Sequence, residues 1–219
     1  MRFCVGFLRG CGVSLCVVTS KGSQAMTTVR VLSKLCSFDD LAHALDDTEL
    51  ELRDVISSTF PSRPEPRRAT WTTDGGELVF AYHFLPDIEL RTVCEFNPPR
   101  GEAWEWAEGL ATELGPQAFE TWQTLKDELW SGDYRKVFRA AHAFATACRV
   151  GDTDVASEEM LLLAAEECAG HTRQAASAAL VEVASNKSEA RIARLFEETD
   201  NPAVRLDLFR TLERIRTRL

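Results

Sequence analysis

The clearest pattern of apolar and polar positions lies near the C-terminus, in DNPAVRLDLFRTLERI, residues 200–215. Val204, Leu208, Leu212 and Ile215 recur at spacings of four, four and three, and Leu206 and Phe209 broaden the stripe. Asp207, Arg210, Glu213 and Arg214 take the other side. Asn201 stands at the N-cap and Pro202 at the first helical position, where its missing N–H costs nothing. A helix with so wide an apolar face needs a neighbour to lie on. The same period predicts six more helices after Pro99, over 102–114, 117–130, 134–149, 154–169, 172–185 and 188–199. Gly115-Pro116, Ser131-Gly132-Asp133 and Gly170 separate them, and turns this short make neighbours antiparallel.

Upstream of Asn97 the period changes to two. Leu78, Phe80, Tyr82 and Phe84 alternate with other residues, and so do Ile88, Leu90, Thr92, Cys94 and Phe96. With ATWTT before them, and Asp74-Gly75-Gly76 and Leu85-Pro86-Asp87 as turn chemistry, they predict a three-stranded antiparallel meander with one buried face. Before it, TVRVLSKL predicts a short strand. Ser37 with Asp40 caps a helix over SFDDLAHALDD, and Thr48 with Glu51 repeats the device, predicting a second helix in TELELRDVISSTF. PSRPEPRR, residues 61–68, holds three prolines and is expected to be a loop. The expected fold is α+β: a small unit of helix and meander over 27–99, then a helical-repeat region over 100–219.

A shift of 29 residues aligns Ala175 with Val204, Ala176 with Arg205, Ala179 with Leu208, Leu180 with Phe209 and Val183 with Leu212. The pattern D-N-P-x-V-R-x-x-L-x-x-x-L resembles HEAT-type, armadillo-like repeats, whose second helix commonly begins with Asp and carries Val-Arg. Asp200, Val204 and Arg205 match it, whereas the preceding unit has Ala175-Ala176 in place of Val-Arg. The resemblance covers about Asp133 to Leu219. It implies a stack whose last inner helix is the one above, and it brings no catalytic residues with it.

Charge narrows the partners. The formal net charge is −9, and Arg2, Arg9 and Lys21 are the only charged side chains in the first 25 residues, so residues 26–219 carry −12. An acidic body repels phosphate backbones and favours a protein partner with a basic surface, which makes nucleic acid an unfavoured partner. No apolar run reaches the length of a membrane span. The first 25 residues differ in composition from the rest. They read as an upstream extension, disordered or not made, with Met26 as the working start. The alternative is a secretory signal with a small-x-small site at Ser23-Gln24-Ala25.

Candidate chemistry is sparse. Seven cysteines at 4, 11, 16, 36, 94, 148 and 168 show no CxxC spacing and read as free thiols of a cytoplasmic protein. His43, His83, His142 and His171 form no metal-ligand spacing, and His83 is expected on the surface of its strand. Cys148 and Cys168 read as small core residues, and Glu158-Glu159 and Glu166-Glu167 as solvated faces. No P-loop, GxSxG or GxGxxG occurs, so no catalytic residue, metal, cofactor or small-molecule ligand is expected. Most of the five tryptophans read as core, with Trp122 and Trp130 on one helix face and Trp104 and Trp106 unable to share one.

The expected function is therefore a non-catalytic protein-binding or adaptor module presenting a helical-repeat surface, with an inhibitor or immunity-type role as one form of it. One alternative is a winged-helix-like DNA-binding regulator using residues 38–84, supported by Arg63, Arg67 and Arg68 but opposed by seven carboxylates between 39 and 54. Another is an enzyme or lyase-like helper with a site that no motif marks.

Overall fold

The computed structural model describes residues 27–46, 48–57, 65–96, 110, 112–151 and 156–219. An N-terminal antiparallel sheet is followed by a run of helices, an α+β arrangement. The strands are β1 (Thr27–Leu32), β2 (Glu51–Ile56), β3 (Arg68–Thr72), β4 (Leu78–Leu85), β5 (Leu90–Phe96) and β6 (Phe119–Glu120). Their order across the sheet is β2-β3-β4-β5-β1-β6, every pairing antiparallel. The helices are α1 (Phe38–Asp46), α2 (Trp122–Leu129), α3 (Tyr134–Val150), α4 (Ser157–Glu167), α5 (Gly170–Val183), α6 (Asn186–Glu198) and α7 (Pro202–Arg218). The expectations for residues 1–25, for Trp104 and Trp106, and for most of the helix over 102–114 lie outside the described residues.

The meander is present as β3, β4 and β5, but β1 and β6 extend it on one side and β2 on the other. It also has two buried faces rather than one. On one face Leu41 and Leu45 of α1 pack with Trp71, Phe80, Tyr82, Phe84 and Val93. On the other, Val31 and Leu90 share a core with Val137, Ala140, Ala141 and Phe144 of α3, while Ala147 seals Val29, Ala81 and Cys94. The alternation in β4 is real; its second set of side chains meets α3 instead of water. His83 is one of them, 8% exposed, which corrects its expected surface position.

Two predicted helices are different in the structure. Residues 51–56 form β2 instead of a second helix, because Thr48 closes α1 and opens nothing. Its Oγ1 donates to the Leu45 carbonyl and accepts from the Leu50 N–H at 3.3 Å. The winged-helix arrangement needs a helix where this strand runs. Before α2, Gly115, at φ 78°, and Pro116 lead into a single 3-10 turn, and Phe119 and Glu120 then pair with Leu32 and Val31. Only from Trp122, behind the Thr121 cap, is the 117–130 segment α-helical.

The caps account for other boundaries. Ser37 and Asp40 form the expected reciprocal box at α1, 2.8 Å from the Ser37 N–H to the Asp40 carboxylate and 3.2 Å from the Asp40 N–H back to Ser37 Oγ. Asp133, Ser185 and Asn201 cap α3, α6 and α7 through their side chains. The helices fold back on one another, α3 against α2, α4 and α5, α5 against α4 and α7, and α6 against α7. In α7 the stripe of Leu208, Leu212 and Ile215 is buried as expected. Leu206 and Phe209 are 49% and 46% exposed and lie outside it.

Candidate binding surface

Among the described residues strand β2 lies at one edge of the sheet and pairs only with β3. All six of its residues are exposed. Leu52, Val55 and Ile56 show 45%, 49% and 52% of their surface, and Leu78, at the start of β4, shows 38%. Three exposed large apolar side chains on one edge strand are unusual.

The rim of this edge is acidic. Glu49, Glu51 and Asp54 are exposed on or next to β2. Glu51 stands opposite Thr72, so the turn that follows Thr72 brings exposed Asp74 and Glu77 to the same end. Arg53 is the opposing charge and forms an ion pair with Glu51. Asp54 has φ 48° where the register slips between Arg53 and Ile56, so a bulge bends the strand at its middle. Such a bulge restricts pairing to chains that can follow the bend.

The residues singled out for chemistry do not converge. His43 is exposed on α1, His142 Nδ1 faces Glu182 at 3.4 Å, and His171 meets Tyr134 edge-on at 5.3 Å between ring centres. Cys36 carries a free buried thiol whose pKa burial, and then Asp40, pushes up to about 11, too high for a nucleophile at neutral pH. Cys148 and Cys168 are half-buried, not core, and Cys168 closes the end of α4. Trp71 is core and Trp122 is half-buried against Phe144, but Trp130 is 36% exposed and does not share the environment of Trp122.

Three of the four paired glutamates are tethers rather than solvated faces, and Glu167 is exposed as expected. Glu158 accepts hydrogen bonds from Ser185 and Ser188, Glu159 holds Lys187 at 2.8 Å, and Glu166 takes the Arg191 guanidinium. All three join α4 to α6 or its cap. Two further networks are buried deeper. Glu65 receives Arg91 through two bonds of 2.7 and 2.8 Å and the Tyr82 hydroxyl. Burial alone would raise the Glu65 carboxyl, but these partners hold it below its ordinary range; burial and Glu65 push the Tyr82 phenol far up. Arg139, 3% exposed, joins Glu120 of β6 and Glu128 of α2 from its place on α3. Arg91 and Glu65 neutralise each other and Arg139 offsets one of its two glutamates, and both networks tie packed elements together. Among the described residues no cluster of three His, Cys, Asp or Glu side chains has metal-holding geometry, and no helix is long and apolar enough to cross a membrane.

Sequence reasoning missed the β2 edge. The acidic excess between 39 and 54 was visible, but its placement beside exposed apolar side chains follows only from the pairing of β2 with β3. No family model, curated protein or solved structure matches the chain.

Proposed function

We propose that this chain is a non-catalytic protein-binding module that takes an extended, basic segment of a protein partner along the β2 edge. The observation that carries this is a fully exposed outer strand presenting Leu52, Val55 and Ile56 inside an acidic rim. An added strand gains main-chain hydrogen bonds from the open edge, and alternate side chains reach the apolar positions. The rim supplies the preference for Lys and Arg and speeds encounter at low salt. The helices act as a stiff backing, because α3 braces the far face of the sheet and is itself wedged under α5.

A second reading places the partner on the outer face of α6 and α7, as a HEAT-like stack would. There Phe209 lies 6.1 Å from Phe196 between ring centres, and Arg205 covers the Phe196 ring at 4.7 Å. The DNA-binding reading has less support, given the acidic surface and the strand in place of its second helix. The inhibitor or immunity role is one way in which either surface would be used.

Titration of the 15N-labelled protein with basic peptides of alternating apolar pattern tests the choice. Amide shifts should concentrate on residues 51–56, weaken with salt, and disappear in Val55→Pro while persisting in Phe209→Asp. Shifts confined to residues 196–210 would instead establish the helical face, and none with any peptide would remove the β2 reading.

A further inference from the structure

Arg68 and His83 stand directly opposite each other in the β3–β4 ladder, and both point to the face that α3 covers. Arg149 at the end of α3 acts on the His83 imidazole, and its neighbour Val150 packs against the cluster of Val29, Ala81, Cys94 and Ala147. We infer that these three side chains form a binding site for a small oxyanion, a carboxylate or phosphate group, between the sheet and α3.

Among the described residues the charges around the site do not balance. Arg149 approaches Glu182 of α5 at 3.6 Å, and His142 shares the same carboxylate. That leaves Arg68. Its Nε is buried and has no hydrogen-bond partner, and among the described residues no carboxylate forms an ion pair with it. An unpaired guanidinium half-buried beside a second one is costly unless an anion completes it. Its planar fork suits two oxygens of one ligand. The chain as a whole carries −9, so this local excess of positive charge runs against its general balance. Access exists from the rim, where the Arg149 and Glu182 side chains are 20% and 29% exposed.

His83 reports on the site. Burial, then Arg68 and Arg149, hold its imidazole down to about pKa 4, and an anion beside it reverses the electrostatic part of that shift. Among the described residues the titratable groups facing this corner are Arg68 on β3, Arg149 and His142 on α3, and Glu182 on α5, on which Arg218 of α7 also acts. The experiment follows the four histidine imidazoles of the full chain by NMR while sodium phosphate, and separately sodium acetate, is added at constant ionic strength. A saturable shift confined to His83, with its titration midpoint raised by about one pH unit or more, is the expected result. It should vanish in Arg68→Gln and persist, weakened, in Arg68→Lys, which keeps the charge. Saturation with phosphate alone or acetate alone assigns the site to that group. An equal response to sodium chloride, equal movement of all four histidines, or no saturable change in the folded wild type would overturn the proposal. If Arg68→Gln does not fold, persistence of the full wild-type response in Arg68→Met would overturn it as well.

Discussion

His83 links stability to pH. Its imidazole titrates at about 4 when folded, against an ordinary value of 6.5, so between these values the unfolded chain binds more protons. Stability is fully present above pH 6.5 and falls as the pH drops towards 4, by on the order of 3 kcal/mol. Glu65 and Glu182 act in the same sense, because burial would raise them but their arginine and histidine neighbours hold them lower. Their contribution is lost only as pH falls below about 4.5, the ordinary Glu value. The interval from 6.5 to 4.5 therefore isolates His83, and urea midpoints of His83→Gln should be flat there while those of the wild type decline. A second residue-scale prediction concerns Ala184, which closes α5 in the left-handed region at φ 47°. Ala184→Gly should stabilise the chain by about 0.5–1 kcal/mol, read from thermal melting, because glycine takes that conformation without a Cβ clash.

At the scale of elements, legibility followed the strength of local signals. Helix α7 was readable because its cap, its proline and its stripe agree, and all of them recur in the structure. Replacing Leu208 or Leu212 by Ala should cost about 2–5 kcal/mol, whereas Arg210→Ala should cost under about 0.5 kcal/mol. Denaturation of the three variants together checks this, and near-equal stabilities would show that α7 does not pack. Phe209 shows the limit of such reading. A 29-residue shift equates it with Leu180, yet Leu180 is fully buried and Phe209 is not, since α5 packs between α3, α4 and α7, whereas Phe209 lies off the stripe by which α7 meets α5 and α6. Strand β2 misled for a different reason. Leu50, Leu52, Val55 and Ile56 fit neither period because the bulge at Asp54 breaks the alternation, and a Thr-x-x-Glu motif resembles a helix start. Strand β6, at two residues, is too short to have a period at all. Nor does the apolar period say which strand will lie at the edge, so the candidate site was not legible.

The whole molecule turns on α3. Its alanines let it approach the sheet closely on one side and α5 on the other, and Arg139 ties it to β6 and α2 at once. Val31 and Leu90 of the sheet belong to the same apolar core as Leu161, Leu180 and Ile192 of the helices. A boundary between the strands and the helices would have to cut through that core, which favours one cooperative unit over two. Native-state hydrogen exchange decides between them. The slowest amides of β4 and β5, around Tyr82 and Val93, and those of α5, around Ala176 and Leu180, should exchange with one opening free energy. Phe144→Ala, which empties a fully buried site beside Trp122, should lower both by the same amount, about 3–5 kcal/mol. If the sheet kept its protection while α5 lost its own, the strands would fold without the helices. The brace proposed behind the β2 edge would then be absent, and peptide binding there would survive removal of the helical region.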